Sequence, residues 1–328
     1  MALLLTRSDV EAALPMAECI ASQEYAFREH GRGNAVTPHR LGLKTPGQDG
    51  LYIAMPSYLG GDPNGTMAVK VLTFYPNNPA AGLPAITATV LLHDPATGAL
   101  LAIMDGASIT GLRTAAGSAV ATKYLARAEA ATVGILGSGV QAETHLAAMC
   151  AVRPVQTAWV YSRDRDRRTD FAERMAARLG IEVTPVSSAR AAIEGAEIVV
   201  TATTAREPIV DGDWFAPGVH INCVGSGIPD RRELDDKIVQ RAKIVVDTYD
   251  SALAEAGDLL IPMAQGLLTK EALHADLGEI LTGQKVGRTD ETEITIFKSV
   301  GVALQDVGAA AWIYRRAKEL GLGQVVDF

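Results

Sequence analysis

Two glycines stand where an apolar run gives way to a helical pattern: ATVGILG, then Gly137-Ser138-Gly139, then VQAETH. The spacing is Gly137-x-Gly139-x-x-Ala142. Gly137 allows a tight turn, Gly139 lets the backbone approach a pyrophosphate, and a small residue at 142 lets helix and strand pack closely. The match alone fits an ordinary tight turn as well as a nucleotide site. Apolar runs alternating with helical segments on both sides of it turn the reading toward a dinucleotide. At the end of the second such run, roughly 20 residues beyond the glycines, a carboxylate would receive the ribose hydroxyl of NAD. Ser162 and Arg163 stand there instead, and a hydroxyl beside a guanidinium suits a 2′-phosphate. The expected cofactor is therefore NADP(H). NAD(H) stays possible, because Asp164 follows and because Arg163, Arg165, Arg167 and Arg168 also read as a solvated helix start.

Three further cations stand in apolar or small-residue surroundings: Arg40, Lys70 and Arg113. Lys70 lies inside an alternating strand pattern, where a lysine either faces solvent from an edge or is buried with a partner. Spacing alone leaves Lys70 and Arg40 as ordinary surface residues. Arg113 sits where one sequence rhythm hands over to another, just before a small-residue helix. That places it at an expected cleft, where ligands tend to bind.

The elements that must carry these residues fall into two rhythms. From Ser8 to about Gly33 the chain reads as a first helix, with Ser8 and Glu11 at capping-box spacing and Gly31 and Gly33 suited to its end. Short alternating runs follow, with a hairpin turn marked by Asp94-Pro95 and Gly98, an antiparallel pattern. Near Ala115 the period changes. Apolar runs buried on both faces then alternate with helices, which indicates a parallel, doubly wound sheet. The last long segment begins as a strand and ends as a helix.

The chain has 328 residues, 48% of them hydrophobic and 5% aromatic, with a net charge of −8 and a pI near 5.3. The acidic balance and scattered basic residues argue against a nucleic-acid partner or an anionic membrane surface. No run is long enough to span a bilayer, and the short apolar stretch at the N-terminus cannot serve as a signal-peptide core. Cys19, Cys150 and Cys223 lie far apart, with no Cys/His cluster at metal-ligand spacing. Buried thiols in a reducing compartment, no metal site and a cytoplasmic location are expected.

Four stretches, GLRTAAGSAVATKYLAR, GILGSGVQAETH, INCVGSGIPDRRELDD and ITIFKSVGVALQDVGAAAWIY, resemble the ornithine cyclodeaminase/mu-crystallin family in type and order. The resemblance covers essentially the whole chain. It implies an α/β protein with a Rossmann-type doubly wound parallel sheet in residues 115–307. A smaller α+β substrate-binding and dimerisation domain would comprise residues 1–114 and 308–328, and the protein would be a homodimer. Arg40, Lys70 and Arg113 match the positions that hold the substrate carboxylate and amine. Val140 and Gln141 match backbone contacts to the cofactor phosphates beside Gly137 and Gly139, and Ser162 matches the ribose position. Thr203, Val224, Gly225, Ser226, Gly227, Arg231 and Ser299 match positions lining the nicotinamide side.

The family catalyses several reactions, and one position separates them. Cyclodeaminases carry a catalytic Asp where this chain has Gly227, and a glycine cannot shuttle a proton. Asp230 is near, but it stands three before Glu233, at helix-capping spacing. The expected activity is thus reduction of a small α-imino acid, cyclic in the first instance, such as pyrroline-2-carboxylate or piperideine-2-carboxylate. Arg113 and Arg40 would clamp the carboxylate, and Lys70 would protonate the imine nitrogen, its pKa lowered by desolvation beside two arginines. The alternatives are an ornithine cyclodeaminase, an alanine-type amino-acid dehydrogenase and a mu-crystallin-like small-ligand binder. Met55, His39 and Tyr58 are candidates for setting substrate size.

Overall fold

The alternating runs of the N-terminal region fold as strands, in a computed structural model that describes residues 1–62 and 64–327. Two units emerge, Met1–Arg113 with Val302–Phe328, and Thr114–Gly301. In the first, β1 (Ala2–Leu5), β2 (Ala35–Val36), β3 (Leu41–Lys44), β4 (Leu51–Leu59), β5 (Thr66–Phe74), β6 (Ile86–His93) and β7 (Leu100–Asp105) join β16 (Gln324–Val326) in one sheet. Its order is β16-β1-β7-β6-β5-β4-β2, with β3 also on β4. Pairing is antiparallel except between β1 and β7. The β6–β7 connection is the expected hairpin: Gly98 N–H donates to the Asp94 carbonyl at 2.8 Å, and the Asp94 carboxylate accepts from Ala96 N–H.

The strand period of two decides what faces the core. On β5, Ala68 and Lys70 are buried while Met67 on the other face is exposed. The buried face is covered by α2 (Met16–Gly31) and α11 (Ala303–Leu320), which pack on each other and on β4. The single first helix expected from sequence is in fact two. α1 (Arg7–Ala13) stops before Pro15, whose missing N–H breaks the ladder, and α2 begins directly after it. The cap also lies elsewhere. Thr6 and Asp9 close the capping box, because β1 delivers Thr6, not Ser8, to the helix start.

The second unit holds β8 (Thr132–Leu136), β9 (Thr157–Tyr161), β10 (Glu182–Pro185), β11 (Ile198–Thr201), β12 (His220–Cys223), β13 (Lys243–Val246), β14 (Leu273–Asp276) and β15 (Thr295–Lys298). They form one sheet in the order β10-β9-β8-β11-β12-β15-β13-β14, and every pairing is parallel. β11, β12 and β15 are buried at every residue, as strands covered on both faces must be. The helices are the later part of α3 (Gly106–Leu125), then α4 (Val140–Val152), α5 (Arg165–Leu179), α6 (Ala189–Ile193), α7 (Asp236–Arg241), α8 (Tyr249–Glu255), α9 (Gly257–Ala264) and α10 (Leu277–Leu281). This is the expected doubly wound α/β architecture. The strand order reverses beside β8, so the loops after β8 and β11 diverge at a switch point, where such sheets bind ligands.

One local expectation fails here. Asp230 caps no helix: α7 starts at Asp236, and its cap is Asp235, which accepts from Ile238 N–H. Asp230 is exposed, whereas Glu233 is fully buried. Among the described residues no helix is long and apolar enough to cross a membrane. Cys19 and Cys223 are buried and Cys150 is half-buried.

Candidate active site

In the first unit the strand parity of β5 drives Lys70 into the core, and α11 supplies its partner. Lys70 Nζ lies 2.9 Å from Asp306, and their side chains are 0% and 2% exposed. The ammonium also donates to the Thr110 hydroxyl at 3.2 Å. Arg113 Nε donates to the same Asp306 carboxylate at 3.1 Å, and its Nη1 donates to Gln305 Oε1. Gln305 Nε2 returns a bond to the Arg113 carbonyl at 3.3 Å. Two buried cations thus share one buried carboxylate. Burial, and next the Arg113 charge, lower the Lys70 pKa to about 7; Asp306 pulls the other way, and Arg40 adds to the lowering.

The candidates from sequence separate along these lines. Lys70 and Arg113 are within one buried cluster. Arg40, half-buried and just ahead of β3, is close enough for its charge to act on the Lys70 amine. Arg113 is more committed than the expected carboxylate clamp supposes. Two of its nitrogens are turned to α11, so a substrate carboxylate would meet its other N–H groups. Met55 pairs with Lys70 across β4 and β5 and is buried. Tyr58, three residues on, points to the opposite face and is 37% exposed, so it does not belong with Lys70. His39 is exposed. A cavity of about 640 Å³ in this unit lies along the β4–β5 loop, the β6–β7 turn and the Gly308–Arg315 stretch of α11, and none of the three cations lines it.

Asp306 escaped the sequence reading. The signal was there: Gln305 and Asp306 interrupt a small apolar run, VAL-QD-VGAAA, and an acid in such a run must find a cation or stay unpaired at high cost.

In the second unit, parallel strands bring the other candidates to one sheet edge. Gly137, Thr203, Val224 to Gly227 and Ser299 all follow the C-terminal ends of strands, β8, β11, β12 and β15. Gly137 has φ 123°, and a Cβ there would stand 2.4 Å from the Ala202 carbonyl oxygen, so only glycine fits the turn. α4 then starts at Gly139 with no side-chain cap. Nothing lies within 4 Å of where a Gly139 Cβ would be, Val140 is 65% exposed, and Gln141 Oε1 is buried without a partner. An uncapped helix start and an open approach together fit a dinucleotide pyrophosphate.

At the end of β9, Ser162 Oγ accepts from Ser138 Oγ at 3.0 Å and donates to the Asp164 carbonyl at 3.0 Å. Arg163 is exposed. Asp164 caps α5, accepting from the N–H groups of Asp166 and Arg167, so its carboxylate is already engaged. Ser299 is buried with its hydroxyl toward Asp247, and Arg231 has a buried Nε that makes no hydrogen bond and lies 3.9 Å from the Asp230 carboxylate.

The model of the ornithine cyclodeaminase/mu-crystallin family matches residues 1–321. A Delta(1)-pyrroline-2-carboxylate reductase of Bacillus cereus is 36% identical over 327 residues, covering 99% of this chain and 100% of that protein. The structure of Thermococcus litoralis Delta(1)-pyrroline-2-carboxylate reductase in complex with NADH and L-proline matches with a TM-score of 0.95 at 47% identity, covering 99% of this chain and 100% of that one. An archaeal alanine dehydrogenase dimer with bound NAD matches with a TM-score of 0.93 at 34% identity, covering 100% and 99%.

Proposed function

The chain belongs to the ornithine cyclodeaminase/mu-crystallin family, and from that premise we propose that it is a nicotinamide-dependent reductase of a small α-imino acid. The substrate class is pyrroline-2-carboxylate or a similar cyclic ketimine, and the product is the L-amino acid. The observation that carries this reading is the buried Lys70, held by Asp306 beside Arg113, with a pKa near 7. A donor of that pKa in a cationic setting suits proton transfer to an imine nitrogen next to a carboxylate.

The chain's own residues divide the work. Arg40 and the N–H groups of Arg113 not engaged by α11 hold the substrate carboxylate, whose charge offsets the surplus of cations over Asp306. Asp306 and Thr110 aim Lys70 Nζ, which passes its proton to the imine nitrogen. Gly137, Gly139, Val140 and Gln141 hold the pyrophosphate. Thr203, Val224 to Gly227, Arg231 and Ser299 line the nicotinamide side. Bound there, a reduced nicotinamide supplies the hydride that C2 of the imine requires.

NADP(H) is the preferred form. Ser162 and the exposed Arg163 stand where a carboxylate would repel a 2′-phosphate, and Asp164 is occupied as a helix cap. The protein is a homodimer. This is supported by the sheet face opposite the one that α2 and α11 cover, where Leu41, Leu43, Tyr52, Tyr58 and Met67 are all exposed. A cytoplasmic location agrees with the three thiols being free. Redox-neutral cyclisation of ornithine is disfavoured by Gly227, which has no side chain to move a proton.

The test is a substrate panel with NADPH and with NADH, following absorbance of the reduced nicotinamide. The panel comprises pyrroline-2-carboxylate, piperideine-2-carboxylate, pyruvate with ammonia, and ornithine. Oxidation of NADPH by the cyclic imines is expected. Conversion of ornithine to proline without net redox change, or silence with every imine and keto acid, overturns the reading.

A further inference from the structure

Two adjacent loops of the second unit hang on one carboxylate. Glu233, fully buried, lies in the segment before α7. Its Oε1 accepts from the Thr203 N–H and hydroxyl, both at 2.7 Å. Its Oε2 accepts from the Thr201 hydroxyl at 2.7 Å and from Gly225 N–H at 2.9 Å. Thr201 ends β11 and Thr203 follows it; Gly225 stands two residues beyond the end of β12. One side chain therefore ties together the loops that leave neighbouring strands at the same sheet edge.

The backbone that bears this side chain is itself fixed. Asp258 Oδ1 accepts from the N–H groups of Glu233 and Leu234, at 2.7 and 2.9 Å. Asp258 Oδ2 takes Lys298 Nζ at 2.8 Å, and the same ammonium donates to the Ser226 carbonyl at 2.6 Å. The loop after β12 is thus held from two sides, through Gly225 N–H and the Ser226 carbonyl.

The residue types are narrowly determined. A glutamine at 233 would turn its NH₂ toward the Thr203 N–H or the Gly225 N–H. Either way a backbone donor loses its acceptor. A Cβ at residue 225 would stand 2.3 Å from Glu233 Oε1, so any larger residue there would push this carboxylate off its donors.

We propose that Glu233 is a positioning residue for the nicotinamide half of the dinucleotide. It sets the loops around Thr203 and Val224–Gly227 in advance, while the adenine half relies on the Gly137–Gly139 turn. This rests on the reductase reading, which assigns those loops to the nicotinamide side. The test compares whole cofactor with a fragment that lacks nicotinamide: NADPH against 2′-phospho-ADP-ribose, or NADH against ADP-ribose, whichever pair the unmodified protein binds.

By calorimetric titration, Glu233→Gln should bind the whole dinucleotide about tenfold more weakly, the effect of one buried donor left unpaired. It should bind the fragment as the unmodified protein does. In steady-state kinetics kcat should fall while KM for the imine stays. Thr201→Val removes one donor and keeps the shape, so it should show the same pattern more weakly; it decides the matter if Glu233→Gln does not fold. Equal weakening for cofactor and fragment, which a general scaffold role gives, overturns the proposal, and so does no change in either. An unmodified protein that binds neither dinucleotide overturns the reductase reading beneath it, a different result from the other two.

Discussion

Each unit buries a lysine completely, and the two lysines behave in opposite ways. Lys70 shares a single carboxylate, Asp306, with Arg113, and its pKa is lowered to about 7 by burial and by that arginine. Lys298 pairs with Asp258, and Glu233 lies close by. Burial pulls its pKa down too, but Asp258 and then Cys223 outweigh this and hold it above the usual lysine value. Burial is common to both, so the ratio of cations to carboxylates decides the outcome. Two cations on one anion leave a site that can release a proton and still attract a carboxylate. One cation among two anions gives a locked strut. The first arrangement suits chemistry and the second suits positioning.

The contrast breaks most sharply by removing each lysine in turn. Lys70→Ala should lower kcat/KM for imine reduction by about 10²–10⁴-fold, the usual contribution of a general acid. Titration of the variant with cofactor should show binding intact, because no dinucleotide residue is touched. Lys298→Met should act first on stability. It leaves Asp258 buried without its cation, at a cost of about 3–5 kcal/mol, visible as an earlier midpoint in denaturant unfolding. If the two variants exchanged phenotypes, the division into a chemical and a structural lysine would be wrong.

A finer probe alters the anion. Asp306→Asn removes the group that holds the Lys70 pKa up, so that pKa should drop below about 7. The alkaline fall in reduction rate should then begin at lower pH in a pH profile of the variant. The smallest effect expected is at the ribose. Ser162→Asp should move the ratio of NADPH to NADH affinity toward NADH by about tenfold, worth about 1.4 kcal/mol. An unchanged ratio would detach residue 162 from cofactor choice.

What could be read from sequence was what is local. The turn at Gly137 and Gly139 was legible because its three requirements, positive φ, an open approach and a small residue at 142, fall within six positions. The antiparallel and parallel regions were legible because hydrophobic period differs between them. Lys70 was not assignable from its strand, since alternation names two faces but not the face a helix will cover. Its partner Asp306 lies 236 residues away along the chain, so only folding brings them together. Glu233 was misread because i, i+3 spacing to Asp230 imitates a cap, while the helix start is specified by Asp235. Pro15 and the one-face rule that parts Met55 from Tyr58 were visible in sequence, and the fold simply applies them.

On the proposed reading, Lys70, its pKa lowered to about 7, donates the proton that completes imine reduction. The direct measurement is kcat/KM for pyrroline-2-carboxylate across pH, since that ratio reports groups of the free enzyme. The donor must be protonated, so the rate should hold below about pH 7 and fall as pH rises through the Lys70 pKa. Oxidation of the amino acid, which needs the neutral amine, should rise over the same interval. A reduction rate that stays level through that interval, or Lys70→Ala protein with the same alkaline fall at full rate, would contradict it.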